Sequence, residues 1–200
     1  MQIITPPNSV TFLRILLTPL FAFLFLENDF DSSFYALLTF IFAGITDWYD
    51  GWLARKWKYD SRFGNFFDPL ADKILISTAF LLFSFKGYMP FWMTALIIFR
   101  DLLITFLRMI SEYQSKPFNT SFFAKTKTAL QMFSIYYVLC YHIISNSPNL
   151  NKYFTNYMNP FSPIILQSIL FVVTIITAWT GFVYLSNNRN LIKSIFKNEK

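Results

Sequence analysis

Apolar residues in this chain come in long runs separated by short polar stretches, and that segmentation constrains the fold more than any other feature. The clearest run, residues 153–188, contains no Asp, Glu, Lys or Arg. A hydrocarbon layer of roughly 30 Å takes about 20 helical residues per crossing, so this run predicts a tilted transmembrane helix over about 161–185. Apolar stretches at 10–26, 33–45, 66–85, 90–110 and 129–144 predict five more. With 54% hydrophobic, 21% aromatic and only 14% charged residues, the chain falls well short of the roughly 25% charge of a soluble domain. The expectation is an all-α integral membrane protein of six transmembrane helices, residues 1–200 forming one domain with almost nothing outside the bilayer.

The net charge of +6 does not point to nucleic acid, because the basic residues sit beside apolar runs and not along a polar helix face. Their distribution gives an orientation instead. Arg55, Lys56, Lys58 and Arg62 fall between the second and third helices, Lys116 and Lys125 between the fourth and fifth, and Arg189, Lys193, Lys197 and Lys200 after the sixth. The other loops hold only Lys86 and Lys152, beside Glu27, Asp29 and Asp31. Positive residues favour the cytoplasmic side, so both termini are expected there. The first helix lacks the basic leader and the small-residue cleavage site of a signal peptide and is expected to remain attached. Asn8 and Ser9, after Pro6 and Pro7, are expected to cap its start. Cys140, the one cysteine, lies in an apolar run and reads as a small hydrophobe. His142 lies within an apolar helix without metal-spaced partners and reads as a core histidine.

Four carboxylates contradict the apolar background. In TDWYDGWLARKWKYDSRFGNFFDPLADK, residues 46–73, Asp47 and Asp50 are three apart and Asp68 and Asp72 four apart. Each pair therefore shares one helix face, and a hairpin between the two helices would bring the pairs together. Carboxylates in a membrane helix are costly, about 2.5–3.5 kcal/mol each at its centre. Water or a counter-charge must compensate. A shell of four carboxylates suits hard divalent cations, and two such ions are the usual apparatus of phosphoryl transfer. Gly51 and Ala54 leave a low surface beside them, and Arg55 offers a fork of donors to a phosphate.

The stretch fits the pattern D x2 D G x2 A R x8 G x3 D x3 D at every fixed position, and it resembles the signature of the CDP-alcohol phosphatidyltransferases. The resemblance implies six transmembrane helices, a homodimer, and dependence on two divalent cations, Mg²⁺ or Mn²⁺. It further implies transfer of a phosphatidyl group from a CDP-linked lipid to an alcohol, with release of CMP at the cytoplasmic side of the membrane. By the same resemblance Asp47, Asp50, Asp68 and Asp72 hold the metals, Asp72 is the base for the acceptor hydroxyl, and Gly51, Ala54, Arg55 and Gly64 line the CDP site.

The acceptor is read from other residues. Arg100, Asp101 and Arg108 lie on the fourth helix, where an internal ion pair between Asp101 and Arg108 stands against an anion-binding role for the two arginines. Lys125 and Lys127 precede the fifth helix and could add phosphate anchors. The segments NSVTFLRILLTP, FRDLLITFLR and TSFFAKTKTALQM resemble the phosphatidylglycerophosphate synthases within the family, in which glycerol 3-phosphate is the acceptor. The implied reaction is transfer from CDP-diacylglycerol to glycerol 3-phosphate in phospholipid biosynthesis, in a bacterial cytoplasmic membrane, with Arg100, Arg108, Lys125 and Lys127 holding the acceptor phosphate. Asp101 stands where that group commonly carries Glu, and an Arg-Asp pair also occurs in CDP-dependent cardiolipin synthases, which use phosphatidylglycerol. A cation transporter is the alternative from another class; its aspartates would sit near the midplane, not at one edge. Asn8, Thr11 and Arg14 could border the cavity, with Arg14 otherwise snorkelling to the surface.

Overall fold

The computed structural model describes residues 6–57, 62–113, 122–157, 162–189 and 192, with side chains described over 12–46, 71, 73–111, 126–152, 154, 162–189 and 192. Among these residues seven α-helices follow in order: α1 (Pro6–Leu26), α2 (Phe30–Trp57), α3 (Arg62–Phe85), α4 (Phe91–Tyr113), α5 (Phe122–Ser145), α6 (Pro148–Tyr157) and α7 (Pro163–Asn187). Six are long and coincide with the six expected runs; α6 is a short helix that the sequence reading had merged into the uncharged stretch before α7. No strand is present among the described residues.

Helix ends follow from local chemistry. α1 starts at Pro6, two residues before the expected Asn8 cap. Proline is tolerated in a first turn because the N–H it lacks would have no intrahelical partner there. Pro163 opens α7 in the same way, behind Ser162, whose Oγ accepts from Ile165 N at 3.2 Å. Asp29 caps α2, its Oδ2 accepting from Ser32 N at 2.9 Å. α3 closes through Gly87, whose φ of 76° suits a residue without Cβ. Tyr88 N there reaches back to Phe83 O, and Gly87 N to Ser84 O.

One core unites all six long helices. α1 packs against both α2 and α3, α3 against α4, α5 against α2 and α7, and α4 against α7. Phe21 and Phe25 of α1 meet Phe40 of α2 and Phe83 of α3 at ring distances of 5.3 and 5.6 Å. Ala36, Ala43 and Ala79 are buried among them. The outer surface is as apolar as the interior. Phe12, Phe23, Phe99, Phe106, Trp179 and Phe182 are exposed, while Arg14, Asp101, Lys127, Gln131 and His142 are buried. A soluble domain shows the reverse distribution. By length and composition α7 is apolar enough to cross a bilayer, and shorter apolar stretches lie in Phe12–Leu26, Phe30–Thr46 and Lys73–Phe85.

Contacts give the bundle two distinct ends. Lys86 after α3 donates to Leu26 O at the end of α1 and to Asn28 Oδ1 before α2. Asn146, after α5, donates to Ser33 at the start of α2. These junctions share one end of the bundle. The start of α1, the C-terminal half of α2, the first turns of α3 and α5 and the last turns of α4 and α7 therefore lie toward the other.

Candidate functional site

The end opposite Lys86 carries nearly all the chemistry expected from the sequence. Asp47 and Asp50 fall in α2 about 25 and about 30 Å along from its first residue at the helical rise of about 1.5 Å per residue. Asp68 and Asp72 fall in the first half of α3. The side chains of Asp47, Asp50, Gly51, Ala54, Arg55, Gly64, Asp68, Asp72 and Lys125 lie outside the described residues, as do those of Asn8 and Thr11. Among the described residues no group of three His, Cys, Asp or Glu side chains could hold a metal. The four motif aspartates lie beyond that set, and their donor chemistry, carboxylate oxygen throughout, fits a hard divalent cation.

Deeper in the bundle the structure builds a charged cluster from three helices. Asp101 of α4 is only 3% exposed, so its charge must be matched locally. Lys127 of α5, equally buried, donates to Asp101 Oδ1. Arg100 Nη1 donates to the same oxygen at 3.2 Å, and Gln131 Nε2 to Oδ2 at 3.2 Å. Lys73, on α3, lies close enough for its charge to act on both Asp101 and Lys127. Three cations thus surround one carboxylate.

Lys127 and Gln131 are four residues apart, so a single face of α5 delivers both to Asp101. From α7, Thr180 Oγ1 accepts from Arg100 Nη2 at 3.4 Å. Yet the cluster is not saturated. Arg100 Nε, Gln131 Oε1 and Thr177 Oγ1 are buried with no hydrogen-bond partner among the described residues. Native interiors leave few such atoms, and those that remain ask for a ligand, an ion or water.

Of the four cations expected at the acceptor, the structure brings Arg100 and Lys127 together on Asp101. Arg108 lies two turns further along α4 and is exposed. Asp101 takes Lys127, Arg100 and Gln131 as its partners, which replaces the ion pair with Arg108 weighed from spacing. Arg14 is 2% exposed and so does not snorkel. Gln131, Thr180 and Gly181 were missed; their signal is a stripe of small and polar residues along α7, where Thr174, Thr177, Thr180, Gly181 and Tyr184 are all buried, and the four-residue step from Lys127.

His142 has a different setting at the other end. It is buried, Nδ1 lies 2.6 Å from Tyr88 Oη, and Nε2 lies 3.3 Å from Asn146 Nδ2. The amide nitrogen can only donate, so Nε2 accepts, and Nδ1, carrying the proton of the neutral ring, donates to Tyr88. Burial pushes the Tyr88 hydroxyl up to about 12, which keeps it protonated.

The sequence model of the CDP-alcohol phosphatidyltransferase family matches residues 4–184. A protein of Shigella flexneri serotype 5b named CDP-diacylglycerol--glycerol-3-phosphate 3-phosphatidyltransferase is 33% identical over 188 residues, covering 92% of this chain and 94% of the relative. The Escherichia coli K12 protein of the same name is 32% identical over the same shares.

Proposed function

Because the chain belongs to the CDP-alcohol phosphatidyltransferase family, we propose that it transfers the phosphatidyl group of CDP-diacylglycerol to glycerol 3-phosphate, forming phosphatidylglycerophosphate and releasing CMP. The observation that carries the choice of acceptor is the cluster around Asp101, where Arg100 keeps its Nε without a hydrogen-bond partner among the described residues. That unspent donor suits an anion, and a phosphomonoester dianion has oxygens for Arg100 to grip. The names of the two relatives support the same acceptor.

In this reading Arg100, Arg108, Lys125 and Lys127 bind the acceptor phosphate, and Gly51, Ala54, Arg55 and Gly64 line the CDP site. Asp72 takes the proton of the attacking hydroxyl as the new oxygen–phosphorus bond forms and the bond to CMP breaks. Members of the family generally use divalent metal ions, and Asp47, Asp50, Asp68 and Asp72 would hold two, Mg²⁺ or Mn²⁺. Bound there, such ions neutralise phosphate charge and stabilise the departing CMP. The same reading has six helices crossing a bacterial cytoplasmic membrane, both termini and the site on the cytoplasmic side, and the chain working as a homodimer. The alternation of basic loops supports the orientation.

The deciding experiment follows CMP release in detergent micelles containing CDP-diacylglycerol, with glycerol 3-phosphate or phosphatidylglycerol as acceptor and with Mg²⁺, Mn²⁺ or EDTA. Metal-dependent release with glycerol 3-phosphate is expected. Release with phosphatidylglycerol alone would overturn the acceptor, and undiminished release in EDTA would overturn the metal site.

A further inference from the structure

Arg100 has a seat on α7 that the reaction itself does not require. A Cβ built on Gly181 would stand 2.8 Å from Arg100 Cγ and 3.3 Å from its Nε. Cβ atoms essentially never come that close. Because Cγ is placed by the first side-chain torsion, swinging the guanidinium tip cannot relieve the contact. The whole side chain would have to change rotamer, and a helix offers few alternatives.

Thr180 holds the same side chain from the next position. Its hydroxyl lies 2.8 Å from Ile176 O and 3.0 Å from Thr177 O, so its proton goes to its own helix and its lone pairs are left to accept Arg100 Nη2. Asp101 takes Nη1. Two nitrogens of the guanidinium are thereby fixed from α7 and α4, while the third, Nε, is buried without a partner. A planar fork held by two corners with its Nε donor unpaired is prepared to receive an anion.

We propose that Gly181 and Thr180 are positioning residues for the acceptor site, setting the rotamer of Arg100 so that its Nε side faces the acceptor phosphate. The proposal rests on the reading of Arg100 as a phosphate ligand. It makes the last helix part of the specificity machinery, although neither residue touches the reacting atoms.

The test measures KM for glycerol 3-phosphate and for CDP-diacylglycerol separately, on the full chain in detergent, for Gly181→Ala, Thr180→Val, Thr180→Ser and Arg100→Ala. Gly181→Ala is expected to raise KM for glycerol 3-phosphate about tenfold or more, the loss expected for a displaced charge-assisted contact, with KM for the donor nearly unchanged. Thr180→Val should move the same constant less, and Thr180→Ser, which keeps the hydroxyl, should restore it. If Arg100→Ala raises KM for glycerol 3-phosphate while Gly181→Ala and Thr180→Val do not, the seat is overturned and the acceptor reading stands. If Arg100→Ala leaves that constant unchanged, both fall. Equal rises for both substrates would mean general loosening of the bundle and would also overturn the seat. Should Gly181→Ala fail to fold, the Thr180→Val and Thr180→Ser pair decides alone.

Discussion

Where α1 turns into α2, the buried polar groups form a neutral chain running from His142 to Tyr88 on one side and through Asn146 to Ser33 on the other. Nearly three turns into α4 and about one and a half turns into α5, the buried polar groups are ions, and Arg100, Gln131 and Thr177 keep atoms without partners among the described residues. The first arrangement is closed and fastens three helix junctions. The second is open, and its unspent donors have a purpose when an anion arrives. Buried polarity that builds a fold saturates itself, whereas buried polarity that serves a reaction stops short of saturation.

Substitutions at the closed end should therefore move stability alone, while those at the open end reach activity, and at Asp101 stability as well. The largest effect belongs to Asp72→Asn, expected to cut turnover by roughly 10²–10⁴-fold, the usual contribution of a general base, while thermal unfolding in detergent stays near that of the wild type. Asp101→Ala should damage stability most, by about 3–5 kcal/mol, because it strands the buried Lys127 ammonium; chemical unfolding in micelles reads it. Lys127→Ala should raise KM for glycerol 3-phosphate by about tenfold or more and leave the donor's KM nearly unchanged. At the closed end the signs reverse. Tyr88→Phe removes the partner of His142 Nδ1 and should cost about 1–2 kcal/mol of stability with kcat and both KM values preserved.

The smallest effect is a pH dependence at the α2 cap. The Ser32 backbone N–H holds the Asp29 carboxyl below its ordinary value. A depressed value means that the cap's contribution is complete above the ordinary carboxylate range and is lost as pH falls through it. Melts of wild type and Asp29→Asn between about pH 3 and 6 should converge in acid and differ in slope, since Asn caps without titrating.

The long helices were legible because a bilayer-sized apolar run is a one-dimensional signal. α2 was read only to 45 as an apolar run, yet it continues as regular helix to Trp57, carrying the aspartate motif on unbroken backbone. α6 was missed because 148–157 is polar on average and nearly uncharged, so it merged with the run behind it. The motif was legible for the same reason as the helices: its aspartates are three and four residues apart, which is helical geometry written into spacing. Asp101 and Lys127 are 26 residues apart on different helices, and Arg100 and Thr180 are 80 apart. No local rule connects such pairs, and only packing does.

The hydroxyls of α7 bear on how the protein is made. Ser168 donates to Ile164 O, Thr174 to Leu170 O and Thr180 to its own preceding turn, so three of its hydroxyls are provided for within the helix. Such a segment can partition into lipid by itself, before any neighbour exists. α4 is less independent, because Asp101 has only Arg100 beside it within the helix and takes its buried ion pair from Lys127 on α5. The full set of partners of Asp101 therefore exists only once α5 has followed α4, and the charged interface is completed by a helix made later in the chain.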